Sequence, residues 1–247
     1  MSEAIGVIGS NGDLGRRMVN QLSAAGCEVV TYDITEKFGL NDKICVDPSI
    51  SLSIGKQKDI SSLGTIDKVF DATDIVHWCA PLGAISEIDT LSKDTLLILH
   101  DSVMYNSLRA SDMLKLKPKS LGEIGIVHCL MNPDRKVFVA NDANGSGSAM
   151  KHMIDIGLKP EILSIKEHDT IMANSQAVLA LVSTAVHDLL KEYDSKGYLT
   201  ASASELLVAL DDRASRWTPE TIHSILSNPE LESLIERIKS IVSSNLD

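Results

Sequence analysis

Residues 5–15 read Ile5-Gly6-Val7-Ile8-Gly9-Ser10-Asn11-Gly12-Asp13-Leu14-Gly15, and the segment after them closes on Tyr32-Asp33. A short apolar run enters a glycine-rich turn, a helical pattern (Arg16 to Ala25) leaves it, and a second apolar run, Cys27 to Tyr32, ends at a carboxylate. This is the order of parts in a βαβ unit that holds a dinucleotide. Glycines let the backbone come close to a pyrophosphate, and the helix N-terminus offers free N–H groups and positive partial charge. Asp33 stands 18 residues after Gly15, where it can accept hydrogen bonds from both ribose hydroxyls of NAD and would repel the 2′-phosphate of NADP. The glycines fall as G-x-x-G-x-x-G, with Ser10 in the first position of the usual G-x-G-x-x-G pattern. The alternative is a tight, ligand-free βα turn in some other doubly wound domain, which would share the glycines, the strand before and the helix after; the acid in register is what favours the dinucleotide. The expected cofactor set is therefore Gly9, Ser10, Asn11, Gly12, Asp13, Leu14 and Asp33, with NAD as the cofactor.

Beyond this unit the chain keeps alternating. Strands are expected at Lys43 to Val46, Asp74 to Cys79, Thr95 to His100, Gly125 to Leu130, Lys136 to Ala140 and Glu161 to Ile165. Helical stretches are expected near Ile60 to Ala72, Ala84 to Leu91 and Gly147 to Ile156. That succession predicts a doubly wound, mostly parallel sheet. From Lys166 onward the pattern is helical throughout. Ile171, Val178, Leu179, Val182, Val186 and Leu189-Leu190 mark the apolar face of one long helix, followed by helices at Ala203 to Leu210, Pro219 to Ser227 and Glu230 to Val242. Thr218 before Pro219 and Asn228 before Pro229 read as N-caps. The expected division is a Rossmann-type nucleotide domain over residues 1–165 and an all-helical domain over 166–247. A tail this aliphatic is expected to take part in a homodimer.

A net charge of −11 argues against nucleic acid or an anionic membrane as partner, so an anionic substrate must be caught by locally placed cations. The four cysteines are scattered on predicted strands or their ends with no Cys-x-x-Cys pair, as reduced thiols of a cytoplasmic protein would be. Met1 leads almost directly into the first strand, and no run reaches membrane-spanning length, so neither a signal peptide nor a membrane anchor is expected.

In open α/β sheets ligands bind beyond the carboxyl ends of the strands. Those ends carry Asp33, Ala80-Pro81, Asp101-Ser102 and His128. Ala80 and Pro81 are expected to border the nicotinamide. His77 and His100 read as core or supporting residues, and His152, His187 and His223, on helices, as facing solvent. No His or carboxylate set has metal-site spacing, so no metal is expected.

Several of these residues resemble the prephenate/arogenate dehydrogenase family. Asp101-Ser102-Val103 stands where that family has a strand-end Asp-Ser-Val element, and His128-Cys129-Leu130-Met131-Asn132-Pro133 where it has His-Pro-Met-x-Gly-Pro. Glu167-His168-Asp169 matches the Glu-His-Asp that opens its helical domain, with Met172 and Gln176-Ala177 continuing the match. Arg213 precedes Pro219 by six residues, ahead of the Ile/Leu-rich stretch Ile222 to Asn228, as in the family. The resemblance implies oxidative decarboxylation of a small anionic cyclohexadienyl substrate with hydride transfer to NAD, on the route to tyrosine. It implies His128 as base with Ser102 as its partner, and Arg213 and His168 as substrate contacts. Cys129, Asn132 and Met104 replace the family's proline, glycine and lysine, and Ala180 lies near the place of a second histidine. Those departures leave open a related cyclic acid as substrate. Other readings are a β-hydroxyacid dehydrogenase or imine-reductase relative, and a regulator that binds NAD without turnover.

Overall fold

The computed structural model describes residues 4–33, 60–88, 95–115, 122–130, 135–193, 207–212, 215 and 217–244. Two compact units divide the chain, residues 1–165 and 166–247.

In the first unit, runs of three to seven residues, most of them apolar, form eight strands among the described residues: β1 (Ala4–Ile8), β2 (Glu28–Tyr32), β3 (Ile60–Ser62), β4 (Ile75–Trp78), β5 (Leu96–His100), β6 (Glu123–Cys129), β7 (Lys136–Ala140) and β8 (Lys159–Leu163). They make one sheet in the order β3-β2-β1-β4-β5-β6-β7-β8. All neighbours are parallel except β6 and β7, where Val127, His128 and Cys129 face Val139, Phe138 and Val137. The order reverses between β1 and β4, which creates the crevice where such sheets take ligands. Ile60–Ser62 is a strand beside β2 and not helix, its backbone paired in parallel register with Val29, Val30 and Thr31 at the open edge. The expected strand at Lys43 to Val46 lies outside the described residues.

Helices cover both faces. Helix α1 (Asp13–Ala24) and α4 (Ser146–Asp155) bury Met18, Val19, Leu22, Ala149 and Met153 on Ile5, Val7, Val29, Ile98, Val127 and Val139. Helix α2 (Ile66–Ala72) and α3 (Met104–Lys115) cover the opposite face, with Val69, Phe70, Ala110 and Leu114 on Val30, Val76, Trp78, Leu97 and Leu99. Strand residues of one face alternate with those of the other, as a sheet buried on both sides requires. Helix α3 was not evident in the sequence: Asn106, Arg109 and Asp112 interrupt its apolar pattern. Of the helix expected at Ala84 to Leu91, residues 84–87 belong to a 3₁₀ segment, Leu82–Glu87, that follows Pro81, and 89–91 lie outside the described residues.

The second unit is helical. Helix α5 (Ile165–Met172) runs through a π turn (Ala173–Ala177) into α6 (Val178–Tyr193), followed by α7 (Pro219–Leu226) and α8 (Leu231–Ser244). Thr218 caps α7 by accepting from the Thr221 N–H, and the Asn228 side chain accepts from the Glu230 N–H ahead of α8. Of the helix expected at Ala203 to Leu210, residues 207–212 are described and are helical. The apolar face expected on the long helix packs only in part: Val178 lies against the Ala177 and Ala180 core, Leu179 and Val186 are half-buried, and the side chains of Leu189 and Leu190 lie outside the described residues. Ile171 and Val182 are exposed, while Met172, Ala173, Ala177, Ala180 and Ser183 are buried. The π turn adds a residue to one turn and rotates the phase of α6 against α5, and the buried stripe is built of small side chains that apolar periodicity passes over. No helix among the described residues is long and apolar enough to cross a membrane.

One backbone contact fixes the crevice. Gly9 has φ +80, and a Cβ there would lie 2.6 Å from the Ala80 nitrogen at the end of β4. Gly9→Ala should therefore lower stability by at least about 1–2 kcal/mol from the left-handed backbone alone, with the Ala80 clash adding to it. A urea midpoint that does not move would show that the turn has room this geometry denies it.

Candidate functional site

The glycine-rich turn is tied down at both ends. The Gly9 N–H donates to the Tyr32 carbonyl at 2.9 Å, and the Gly12 N–H to the Gly9 carbonyl at 3.2 Å. Ser10 is buried, its hydroxyl 3.5 Å from the same Tyr32 oxygen. A Cβ on Gly15 would stand 2.0 Å from the Gly9 oxygen, so the turn folds directly onto the first turn of α1. Ser10 takes the first position of the usual pattern without cost, since Gly9 makes the left-handed bend and Gly15 the close approach. Gly12 begins α1 with no side-chain cap, which leaves the N–H groups of Asp13 and Leu14 aimed past the helix end. The Asn11 N–H donates to Asp33 Oδ2 at 2.8 Å and turns that carboxylate toward the crevice. Uncapped donors, a glycine cradle and an oriented carboxylate fit a dinucleotide's pyrophosphate and ribose. Ala80, half-buried, and Pro81, exposed, lie just past β4 against Gly9.

Two strands further on, Ser102 follows β5 and precedes α3. Asp101 bridges them: its N–H donates to the Val127 carbonyl at 3.3 Å, and its Oδ1 accepts from the Val103 N–H at 3.3 Å. His128 lies on β6, one residue from its end, and is buried. It alternates with Val127 and Cys129, which face α4, and so belongs to the face of α3. The fold thus sets Ser102 and His128 at adjoining strand ends and places Gly9 to Leu14, Asp33, Ala80 and Pro81 along the ends of β1, β2 and β4.

His168 and Arg213 belong to the second unit. His168 is fully buried with Nδ1 2.7 Å from Asp169 Oδ1, and the Asp169 carbonyl accepts from the Asn228 side chain at 2.8 Å. Asp169 is thus the buried partner that orients the His168 ring. Arg213 lies outside the described residues. Asp211, two residues before it, is hydrogen-bonded to His187, which is half-buried and not free in solvent as expected. His223 is exposed, as expected.

The largest departure concerns His152. Expected on a solvent-facing helix surface, it is 6% exposed and part of a chain of three imidazoles. His100 Nε2 lies 2.8 Å from His77 Nδ1, His77 Nε2 lies 2.9 Å from His152 Nε2, and His100 Nδ1 lies 3.7 Å from Cys129 Sγ. His77 occupies the α1/α4 face of β4 and His100 that face of β5, so α4 lays His152 onto them. The sequence carried one signal: position 77, between buried Val76 and Trp78, and position 100 are inward on strands that are otherwise apolar. Burial holds the pKa of His100 down to about 3, with His152 adding to the effect. Burial lowers His152 to about 4 against the opposing pull of Asp155. Burial, then His100 and His152, hold His77 well below its ordinary value. Burial pushes the Cys129 thiol up to about 12, and burial with Cys129 raises that of Cys79. All three rings are neutral at neutral pH.

No protein-family model matches the chain, and no curated protein sequence is a significant match. Its fold is similar to that of solved dehydrogenases. Prephenate dehydrogenase from A. aeolicus, in complex with hydroxyphenyl propionate and NAD+, superposes with a TM-score of 0.66 at 17% identity, over 99% of this chain and 89% of that one. A protein from Corynebacterium glutamicum provisionally assigned the same activity gives 0.70 at 13%, over 99% and 80%. The reductive aminase from Aspergillus terreus, in complex with NADPH and ethyl levulinate, gives 0.53 at 13%, over 87% and 73%. At these identities the likeness establishes a Rossmann-type sheet followed by a helical unit.

The histidine chain sets a pH dependence with a definite sign. Unfolded, each ring takes up a proton near its ordinary value of 6.5, whereas the folded rings stay neutral down to about 3 to 4. Their contribution to stability is present above the ordinary value and lost as pH falls through that window. The unfolding free energy should drop with a slope approaching about 1.4 kcal/mol per pH unit for each ring that stays neutral in the fold. Urea unfolding at successive pH values checks this; a midpoint independent of pH between the two limits would contradict neutral, buried rings.

Proposed function

We propose that this chain is an NAD-dependent dehydrogenase that oxidatively decarboxylates prephenate or arogenate. The observation that carries the reading is the pairing of an uncapped, glycine-lined helix end with Asp33 in one crevice, beside strand ends that bear Ser102 and His128. It is supported by a likeness to prephenate dehydrogenases that runs through both units. On this reading residues 1–165 hold the nucleotide and 166–247 contribute to substrate binding and to a homodimer, for which the exposed Ile171 and Val182 of the long helix speak.

NAD+ bound in the crevice would supply the hydride acceptor. The Asp13 and Leu14 N–H groups would meet the pyrophosphate, with Gly9, Ser10, Asn11 and Gly12 shaping its cradle, while Asp33 would accept from the ribose and Ala80-Pro81 border the nicotinamide. His128, as neutral imidazole, takes the hydroxyl proton as the carbinol carbon gives up its hydride, and Ser102 orients the same hydroxyl. When the ring carboxylate leaves as CO₂, its bonding electrons aromatise the ring. The phenolic oxygen then takes the proton back from His128, so no net proton is released. Arg213 would hold a substrate carboxylate through its guanidinium fork. His168, oriented by Asp169, would complete the substrate's surroundings.

A β-hydroxyacid dehydrogenase would place its lysine on the long helix, where residues 167–190 contain none. A regulator that binds NAD without turnover is separated by one assay. Mixed with NAD+ and prephenate, or arogenate, the protein should generate the NADH absorbance band; binding of NAD+ without that band for either acid would leave the regulator. His128→Asn should keep NAD+ affinity while kcat falls by about 10²-fold or more, the scale of general-base loss; a near wild-type kcat would remove His128 from the chemistry. Arg213→Ala should raise KM for the acid roughly 30-fold or more, as loss of a buried charge contact does. A KM within about twofold would make Arg213 a surface ion-pair residue.

A further inference from the structure

We propose that Cys129, His100, His77 and His152 form a proton-conducting chain through the first unit. It would join the strand-end edge that carries Ser102 and His128 to solvent in the groove beside α4.

The contacts are continuous, at 3.7, 2.8 and 2.9 Å from the thiol to the last ring. His152 borders a groove of about 680 Å³ whose walls include Ile5 and Leu96 at the amino ends of their strands and Lys151 and Asp155 on α4. One end of the chain therefore meets water on the side of the sheet remote from the crevice. The other end, Cys129, is the last residue of β6, at the strand-end edge, with its side chain on the α1/α4 face and that of the preceding His128 on the opposite face. The charged and titratable groups that face the chain are Cys79 and Cys129 at its inner end and Asp155 at its outer end.

A neutral imidazole has one N–H and one lone pair, so hydrogen-bonded rings must all point the same way. With the Cys129 thiol donating to His100 Nδ1, His100 Nε2–H donates to His77 Nδ1, and His77 Nε2–H to His152 Nε2. His152 then carries its proton on Nδ1. When Cys129 passes its proton to His100 Nδ1 and its sulfur takes up another from the strand-end edge, the transfer is matched by movement of the His100 Nε2 proton to His77, of the His77 Nε2 proton to His152, and of the His152 Nδ1 proton to water. One proton enters, one leaves, and all three tautomers invert. Passage in the opposite direction restores them. The use of the chain rests on the dehydrogenase reading, in which His128 holds a proton between oxidation and decarboxylation; the chain lets that proton exchange with solvent, outward after the first step and inward before the phenolic oxygen is protonated. Such a sequence resets the tautomers without a ring flip. Three polar rings on an otherwise apolar face would serve packing alone less well than leucines.

Conduction can be read without any substrate. In protein labelled with ¹⁵N-histidine, solvent exchange of the His77 and His100 ring protons is compared with exchange of the β5 backbone amides. The ring protons should exchange about 100-fold faster or more than the amides, which open only with the sheet, and faster still as imidazole buffer is raised. His152→Gln, which keeps a hydrogen bond to His77 but cannot pass a proton on, should slow ring exchange at least about tenfold. Ring and amide protons equally protected in the unmodified protein would overturn the chain, whether or not the variant folds. Ring exchange unchanged by His152→Gln would overturn it too. A protein that conducts in this test yet fails to reduce NAD+ with prephenate or arogenate would support the chain and overturn the reaction reading alone.

Discussion

Everything at the ligand end of the sheet depends on how closely three backbones approach one another at Gly9. Its own φ is positive, Gly15 of α1 presses on its carbonyl, and Ala80 presses on its Cα from the far side. A side chain at Gly15 would force α1 away from the turn after β1, and one at Gly9 would collide with the backbone of Cys79 and Ala80 at the end of β4, so either would disturb how the helix end points into the gap between β1 and β4. The reversal of strand order makes that gap, but only glycine allows a helix dipole to be aimed into it from so short a turn. Asp33 then acts at a distance set by the same turn, because its carboxylate is held by the Asn11 N–H.

The interior of the nucleotide unit carries a second, less economical feature. Burying imidazoles removes their preferred charged form, and their fold-stabilising role vanishes in acid for that reason. They are tolerated because each ring nitrogen inside the chain has a partner, so that the desolvation of one is matched by the hydrogen bond of the next. The sheet and α4 must hold these rings to within a few tenths of an ångström, which makes α4 part of the same rigid body as β4 and β5.

The helical unit uses the same device once more in miniature. His168 and Asp169 are buried side by side, and Asn228 ties the Asp169 carbonyl to the segment that starts α8. Small residues, Ala173, Ala177 and Ala180, let α7 and α8 come close to the long helix, with Ile225, Leu231 and Leu234 filling the space. A polar lock and a small-residue stripe do here what large aliphatic side chains do in the first unit.

How much of this was legible in the amino-acid sequence depends on the range of the interaction involved. The βα turn, Asp33, the strands from β4 to β7 and the caps of α7 and α8 rest on residues close together in the chain, where glycine, periodicity and capping chemistry act locally. Ser102 and His128 were legible as strand-end residues, since a strand's polarity and its last residues can be read directly. The helical phase after Ala173 was not, because a π turn is a choice made by packing and leaves no apolar signature. Nor was the fate of His152: on its own helix it looks like one polar residue among others. Only the sheet order, which sets β4 beside β5 and lays α4 across them, brings residues 77, 100, 129 and 152 into one chain. Local chemistry determined the glycine turn, the helix end and the carboxylate that line the crevice, and the sheet order opened it between β1 and β4. Long-range packing decided which histidines stand behind it, because a hydrogen bond between residues 75 positions apart exists only after the fold has closed.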